Sequence, residues 1–273
     1  MCIRAEDAGA QAYLGKTVSI MWGTEASVVV PCRNEAANIR AVIDGIVRSM
    51  TPVGPFEIIV VDDGSDDGMA SVLNVALRDI PMLRVLRHDR PGGQSAAIHS
   101  GVRAARHDLV CTLDGDGQNP PEELARLVAP FIENGGDSLG LVAGQRVGRK
   151  DTLSRRLASG FANRLRSSIL RDGTRDTGCG LKCFRREAFL ALPYFDHMHR
   201  YLPALFARDG WQIAHVDVTH RPRGGGRSHY SNIQRGIVGF FDLLGVAWLL
   251  RRRKKARATE IGRPPAPAPE STR

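Results

Sequence analysis

Cysteine is scarce in this chain of 273 residues, and its few copies form no framework. There are five, an odd number, without a CxxC pair, and no paired histidines accompany Cys179 and Cys183. These absences argue against a disulfide scaffold and against a zinc site built from closely spaced ligands. A reducing compartment therefore fits the chain best.

Long hydrophobic runs are missing as well. A membrane-spanning helix needs roughly 18–20 consecutive apolar residues, and the nearest run, residues 237–250, is interrupted by Asp242. As a helix this run would extend about 21 Å, against a hydrocarbon core of about 30 Å. The first 25 residues carry Glu6 and Asp7 and lack a continuous apolar stretch, so we expect a loose leader and not a signal peptide.

The glycine motifs that bind phosphate through backbone N–H groups are absent too. The chain contains no GxxxxGK[ST] segment, and residues 92–94 (GGQ) do not supply a GxGxxG. A P-loop nucleotide site and a dinucleotide site are therefore disfavoured. There is also no internal repeat.

The composition is that of a globular protein with a basic end. Hydrophobic residues make up 42% and charged residues 25%, which excludes a chain disordered throughout. The formal net charge is +9, but six basic residues lie within positions 251–257, so the basicity does not argue for nucleic acid as a partner. The proline-rich tail, residues 256–273, is expected to be disordered.

The middle of the chain alternates between two hydrophobic patterns. Short apolar runs predict strands at 27–30, 57–61, 83–86, 108–113 and 139–143, and helical spacing predicts helices at 39–50, 69–80, 96–105 and 121–132. This alternation is typical of an α/β domain with a mainly parallel sheet covered on both faces. Ligands in such domains bind beyond the carboxyl ends of the strands.

Acidic segments follow two of the predicted strands. Residues 62–68 (DDGSDDG) follow the second strand, and residues 114–118 (DGDGQ) follow the fourth. Either segment by itself could be an ordinary solvated turn. Together, at the same edge of one sheet, they favour a cation, because Asp-x-Asp supplies two hard oxygen ligands for Mg²⁺ or Mn²⁺ alongside substrate phosphates.

Three segments in order resemble the inverting family-2 nucleotide-sugar glycosyltransferases: 28–35 (VVVPCRNE), 60–67 (VVDDGSDD) and 113–121 (LDGDGQNPP). The branch with dolichol-phosphate mannosyltransferase and the undecaprenyl-phosphate sugar transferases is more similar still, through 144–146 (GQR), 176–182 (DTGCGLK) and 221–230 (RPRGGGRSHY). The resemblance covers about residues 26–250. It implies a single GT-A-type, Rossmann-like domain.

The resemblance also implies residue roles. The nucleotide sugar would contact Pro31, Arg33, Glu35, Val61, Asp63, Asp114 and Gly115, with Lys182 and Arg223 on the donor diphosphate or the acceptor side. A Mg²⁺ or Mn²⁺ ion would be held by Asp114, Asp116 and Gln118. The acceptor phosphate would meet Arg146, Arg155, Ser159 and His229. Asp116, Arg155 and Asp176 are the candidate catalytic residues.

Three positions depart from the family pattern. Arg33 stands where an aromatic residue is usual, His229 stands where lysine is common, and Gly68-Met69 replaces a threonine. None of these removes a metal ligand, so we expect an active enzyme. Asp176 could orient the acceptor, act as a base or cap a helix N-terminus, and the sequence leaves these alternatives open.

The implied reaction transfers a sugar from a nucleoside-diphosphate sugar to a polyprenyl (dolichyl or undecaprenyl) monophosphate. The acceptor oxygen is already anionic, so it needs charge relief from arginines more than a strong base. Direct displacement would invert the anomeric centre. The alternatives are a family-2 transferase that uses a saccharide hydroxyl, whose QxxRW motif is absent, and a nucleotide-sugar sensor, which would be expected to lack Asp114 or Asp116.

A lipid acceptor predicts a surface that faces the membrane. We expect an interfacial helix and basic cluster at 234–255, following a glycosyltransferase domain at 26–233, with Trp248 near the end of its apolar run. This predicts a peripheral protein on the cytoplasmic face of a membrane. The alternatives are a helix that closes the core and a helix that docks on a small membrane partner protein.

Overall fold

The computed structural model describes residues 25–133, 137–147, 166, 169–170, 172–221, 232–252 and 256, with the backbone alone for 232–237. Within them lies one sheet of seven strands, in the order β3-β2-β1-β4-β6-β5-β7. Neighbouring strands pair in parallel except at β6, which is antiparallel to both β4 and β5. The strands are β1 Ala26–Cys32, β2 Phe56–Asp62, β3 Leu83–Arg87, β4 Leu109–Thr112, β5 Leu139–Arg146, β6 Lys182–Arg185 and β7 Gln212–Val218.

Seven helices connect and cover the described strands. They are α1 Ile39–Met50, α2 Met69–Asp79, α3 Gln94–Ala104, α4 Leu124–Glu133, α5 Arg186–Leu190, α6 Leu202–Arg208 and α7 Asn232–Arg251. Short 3₁₀ turns at Pro121–Glu123 and Met198–Arg200 precede α4 and α6. The predicted alternation of strands and helices up to residue 146 is confirmed.

The core has two apolar layers, one on each face of the sheet. Alternate residues of β1 enter different layers, because side chains of a strand point to opposite faces: Val28 and Val30 pack with α1, α2 and α4, and Val29 packs with α3, α5 and α6. Burial on both faces explains the near-continuous apolar runs of the central strands.

Four elements beyond residue 172 were not predicted: β6, α5, α6 and β7. Strand β6 has four residues with Lys182 and Arg185 at its ends, so it carries too short an apolar run to stand out. Strand β7 lies at the edge of the sheet and is mostly part-exposed. The alternation of Ala214, Val216 and Val218 with His215 and Asp217 was a usable signal of period two.

Helix α7 contains the apolar run expected at the membrane surface. Val246 is completely buried and Leu243 nearly so, both in the layer that contains α3 and α6. The alternative that this helix closes the core is therefore correct for one of its faces. Other apolar side chains of α7 are exposed, namely Val238, Phe240, Phe241, Leu244 and Trp248. None of the described helices combines the length and the apolarity needed to cross a bilayer.

At the edge where the parallel strands begin, Glu57 joins three segments. Its buried carboxylate accepts hydrogen bonds from the Ser27 hydroxyl at 2.8 Å, the Arg106 backbone N–H at 2.7 Å and the Arg84 guanidinium at 2.7 Å. Burial alone would raise the pKa of Glu57, but these donors outweigh it and hold the pKa below its ordinary value. Glu57 therefore stabilises the fold far from the loops at the opposite edge.

Candidate active site

A cavity of about 820 Å³ opens at the carboxyl edge of the parallel strands. Its walls come from the loops after β1, β2, β3 and β4, from the turn before α6, and from α7. Those segments lie far apart in sequence and meet because parallel strands end at one edge. The lining residues are Pro31, Cys32, Arg33, Glu35, Asp63, Pro91, Gly92, Gly93, Gln94, Ala97, Asp114, Gly115, Asp116, Asp196, His197, His199, Arg200 and Val238.

Asp114 lies two residues beyond the end of β4, and hydrogen bonds hold its carboxylate from two sides. Its Oδ1 accepts a hydrogen bond from Gln94 Nε2 at 2.7 Å, and its Oδ2 accepts one from Asn119 Nδ2 at 2.9 Å. Gly180 packs so closely beneath the carboxylate that a Cβ there would lie 2.5 Å from Oδ1. The side chain is therefore fixed in one orientation toward the cavity.

The charge balance of this site suits a divalent cation. Burial, and then the charge of Asp116, raise the pKa of Asp114 above its ordinary value, and the opposing effects of Lys182, Asn119 and Arg146 offset this only in part. Carboxylate oxygens are ligands that Mg²⁺ and Mn²⁺ prefer. No group of three or more His, Cys, Asp or Glu side chains suited to a metal occurs among the described residues. A cation held by Asp114 and Asp116 would thus take further ligands from water or from substrate phosphates.

The first acidic segment is mostly structural. Asp62 Oδ1 accepts the Ser65 N–H at 2.9 Å, and Asp67 Oδ2 accepts the Ala36 N–H at 2.9 Å, which ties this segment to the loop after β1. The repulsion among its carboxylates is therefore relieved by backbone donors of the protein itself. Asp63 does reach the cavity, although its two oxygens already accept N–H groups from the glycines at 92 and 93 and one of them also contacts His88.

The wall expected to contact the nucleotide is largely present. Pro31, Arg33 and Glu35 line the cavity, and Arg33 is exposed. Gly115 lines it as well, packed so closely on the end of β1 that a Cβ would lie 2.7 Å from that of Cys32. Val61 does not line the cavity, because its side chain is completely buried in the core layer that includes α3, and its contact with the nucleotide stays a prediction.

Arg146, at the end of β5, forms a bidentate ion pair with Asp176. Its Nε and Nη2 donate to the two carboxylate oxygens at 2.5 and 2.8 Å. Burial would raise the pKa of Asp176, but the hydrogen bonds and charge of Arg146 outweigh it, and the pKa lies below its ordinary value. Asp176 is therefore a weak base. It lies in a turn and not at a helix N-terminus, so the capping alternative does not apply.

Two other expected contacts do not line the cavity. Lys182 is buried with its ammonium donating to the Cys179 carbonyl, and burial lowers its pKa. The backbone of Gln118 makes two hydrogen bonds. Its N–H donates to the Asp116 carboxylate at 3.1 Å, and its carbonyl accepts the Arg221 N–H at 2.9 Å. Neither residue lines either of the two described cavities. The remaining predicted contacts lie outside the described residues: Arg155, Ser159, Arg223 and His229.

A second cavity of about 350 Å³ adjoins the first. Four residues line both: Gln94, Asp114, His199 and Arg200. Its other walls come from the turn that contains Asp176, and they are Thr177, Gly178, Cys179 and Gly180. Asp114 thus stands at the junction of two compartments.

Sequence reasoning missed the turn before α6. It supplies His199 and Arg200 to both cavities, yet it carries no recognisable motif. Ser95 Oγ lies 2.8 Å from His199 Nδ1 and also accepts the His199 N–H at 3.4 Å. Burial, reinforced by nearby positive charges, lowers the pKa of His199 to about 3, so its imidazole is neutral at physiological pH.

The same turn connects the cavity to α7. His197 Nδ1 lies 3.0 Å from a carboxylate oxygen of Asp242, and the Tyr201 hydroxyl donates to the Gly239 carbonyl at 3.4 Å. Asp242 is the residue that interrupts the apolar run of α7. The contact with His197 of the cavity wall explains why a carboxylate interrupts this apolar run.

Comparison with known families identifies the chain. Residues 27–192, which include β1 to β6 and the Asp114–Asp116 loop, match the model of glycosyl transferase family 2. The chain belongs to glycosyltransferase family 2. The GT-A-type fold implied by the sequence motifs is that of its structural neighbours and is confirmed.

Two curated relatives of this family-2 chain are 33% and 36% identical to it over the aligned residues. It is 36% identical over 221 residues to undecaprenyl-phosphate 4-deoxy-4-formamido-L-arabinose transferase of Pectobacterium carotovorum, covering 80% of this chain and 66% of that protein. It is 33% identical over 236 residues to dodecaprenyl-phosphate galacturonate synthase of Rhizobium johnstonii, covering 85% and 69%. The chain thus spans about two thirds of the length of these relatives.

Solved structures with the same fold are more distant in sequence. Glucosyl-3-phosphoglycerate synthase from Mycobacterium tuberculosis, in complex with Mn²⁺, uridine diphosphate and glucosyl-3-phosphoglycerate, has a TM-score of 0.60 at 21% identity, covering 84% of this chain and 80% of that one. Mannosyl-3-phosphoglycerate synthase from Rubrobacter xylanophilus has a TM-score of 0.63 at 20% identity, covering 88% and 78%. At these identities the likeness establishes the fold.

Proposed function

We propose that this glycosyltransferase moves a sugar from a nucleoside-diphosphate sugar to a polyprenyl monophosphate, with inversion at the anomeric carbon. The observation that carries the proposal is the position of Asp114, which lines a large cavity and a smaller one at once. The larger cavity falls within the roughly 300–1,000 Å³ range of small-molecule sites and suits the donor. The relatives named for undecaprenyl and dodecaprenyl phosphates support the lipid acceptor.

The donor cavity requires a cation. Its described lining carries five carboxylates against two guanidinium groups, those of Arg33 and Arg200. A diphosphate is anionic, so such a wall would repel it without added positive charge. Asp114 and Asp116 would hold Mg²⁺ or Mn²⁺, and when bound the ion would offset the negative charge that grows on the leaving nucleoside diphosphate. The Mn²⁺ and Mg²⁺ complexes of structural neighbours support this choice of ion.

The protein groups near the smaller cavity fit an anionic nucleophile. A phosphate monoester oxygen needs no proton removed near neutral pH, and the ionised Asp176 offers only weak basicity. Asp176 instead holds Arg146 in a bidentate pair beside Gly178 of that cavity. The expected phosphate contacts of Arg155, Ser159, Arg223 and His229 stay predictions.

We also propose that α7 rests on an anionic membrane surface, which supplies the lipid acceptor. Phe241 and Trp248 are 66% and 58% exposed, and Arg251 and Arg252 follow at the end of the helix. Exposed apolar side chains next to basic residues suit insertion at the level of the headgroups. The four described cysteines are buried free thiols, which agrees with the reducing, cytoplasmic side.

The deciding experiment incubates the protein with a panel of nucleoside-diphosphate sugars and polyprenyl phosphate, followed by mass analysis of the lipid. We expect a polyprenyl-phosphate sugar. Saccharide acceptors in a parallel panel test the alternative, and transfer to these but not to the lipid would refute the proposal. The anomeric configuration of the product tests inversion.

Metal dependence has its own test within that assay. Asp116→Asn removes a hard anionic ligand and should reduce turnover at least about 100-fold, by analogy with the loss of one electrostatic contact to a developing charge. A chelator should abolish activity of the unaltered protein, and Mn²⁺ or Mg²⁺ should restore it. Asp79→Asn, on an exposed carboxylate of α2 paired with Arg40, is the control. Full turnover in chelator would show that no cation is needed.

A further inference from the structure

Arg200 ends the 3₁₀ turn before α6 and lines both cavities. Asp114 is its only charged companion among the described residues around the smaller cavity. Arg200 is therefore the positively charged group that the described lining of this cavity offers to a ligand.

The nearby arginine that the sequence motifs single out is differently placed. Two of the three guanidinium nitrogens of Arg146 donate hydrogen bonds to Asp176, and this ion pair has no net charge. For Arg200 no ion pair with a carboxylate is found within the described part of the chain. The Asp114 carboxylate also lines this cavity, and the proposed cation would offset its charge, so an anion entering there would meet the positive charge of Arg200.

The backbone that carries Arg200 is well anchored. Its N–H donates to the His197 carbonyl at 3.1 Å, and the neighbouring Tyr201 N–H donates to the Met198 carbonyl at 2.9 Å. Ser95 of α3 holds the preceding His199 through both its side chain and its N–H. Because His199 is neutral, it adds no competing charge. Ordered donors of this kind bind anions with less entropy loss than a mobile surface arginine would.

We infer that Arg200 binds the phosphate group of the lipid acceptor in the smaller cavity, a role that rests on the proposed function. The donor diphosphate belongs with the Asp114–Asp116 pair, whereas the acceptor phosphate must approach the sugar from another direction. The smaller cavity adjoins that pair through Asp114 and opens beside Arg146 and Asp176. Guanidinium groups suit this task because they donate two parallel hydrogen bonds to phosphate.

The test compares Arg200→Ala with Arg200→Lys and with a control, Arg48→Ala. Arg48 is exposed in the last turn of α1 and lines neither described cavity. Removing a charged hydrogen-bond donor should raise the KM for polyprenyl phosphate about 10- to 100-fold. Lysine should recover part of that loss, since it keeps the charge without the bidentate geometry. The control should match the unaltered protein.

Binding measured without turnover separates the acceptor from the donor. Because Arg200 lines both cavities, Arg200→Ala should weaken the binding of a short-chain prenyl phosphate in calorimetric titration more than it weakens the binding of nucleoside diphosphate with Mn²⁺. An unchanged acceptor KM, or a loss confined to the nucleoside diphosphate, would overturn the inference. Failure of the unaltered protein to use any prenyl phosphate would instead overturn the proposed function. Unchanged melting temperatures identify variants that remain folded.

Discussion

A methyl group at position 180 should disable the site without adding or removing any charge. In Gly180→Ala the new Cβ would lie 2.5 Å from Asp114 Oδ1 and closer still to Oδ2, whereas Cβ atoms do not approach other atoms within 3.0 Å. The backbone at Gly180 does not have a positive φ, so alanine is tolerated there conformationally. The carboxylate of Asp114 must therefore move.

The required shift sets the size of the effect. A displacement of roughly 1 Å would pull Asp114 from Gln94 and Asn119, and a misplacement of about 1 Å at a reacting centre costs about 100-fold in rate. Overpacking of this kind lowers stability by about 1–3 kcal/mol, which leaves a typical domain folded. We thus expect kcat/KM to fall about 100-fold and Mn²⁺ affinity to weaken, with only a modest drop in melting temperature.

Release of nucleoside diphosphate measures turnover, and paramagnetic titration measures Mn²⁺ binding. Gly245→Ala is the matched control, because no atom other than those of its two chain neighbours and of the adjacent backbone of its own helix lies within 4 Å of the added methyl group. Helix α7 should accept it with a gain of about 0.5–1 kcal/mol. If folded Gly180→Ala kept its Mn²⁺ affinity and its kcat/KM within twofold, the orientation of Asp114 would not be what the site depends on.

Two further predictions concern stability and membrane binding. Glu57→Gln should lower the free energy of unfolding by about 1.5–3 kcal/mol at pH 7, as expected for a lost charged hydrogen bond. Because folding lowers the pKa of Glu57, its contribution is fully present above the unfolded pKa of about 4.3 and is lost as the pH falls through the folded value. The difference in urea unfolding between variant and parent should therefore shrink as the pH is lowered below about 4.3; a pH-independent difference would contradict this. Replacing Phe241 and Trp248 by serine should weaken flotation with anionic liposomes at least about 10-fold, since each aromatic side chain contributes about 1.5–3 kcal/mol when buried, while Val75→Ser, at an exposed residue of α2, should not. Equal flotation of all three proteins would exclude α7 as the contact.

The alternating strands and helices up to residue 146 were predictable because their packing in the core is reflected in local patterns of apolar residues. Central strands buried on both faces read as apolar runs, and helices with one buried face repeat their apolar residues at helical spacing. Residues 172–221 leave a weaker trace. The strands and helices in this segment are short. The antiparallel direction of β6 cannot be predicted from the spacing of apolar residues.

The site was predictable to the extent that one loop carries it. The Asp114–Asp116 loop could be found from a strand that ends in paired carboxylates. The roles of the other acidic residues could not be predicted. Asp62 and Asp67 look like metal ligands in the sequence, and only the structure shows that their carboxylates accept hydrogen bonds from backbone N–H groups. Arg200 was missed for a related reason. Its place depends on the packing of a 3₁₀ turn against α3, and no sequence spacing encodes it.

The bond between His197 and Asp242 bears on how this enzyme can be handled in the laboratory. Trimming a hydrophobic C-terminal helix is a common route to a better-behaved preparation. Here the trimmed protein would also lose Val238 from the larger cavity and Val246 from the core, and His197 would lose its carboxylate partner. Loss of activity after such a deletion would therefore not show whether α7 binds the membrane. Changing the outward side chains of α7 one by one keeps the cavity wall intact and isolates the question.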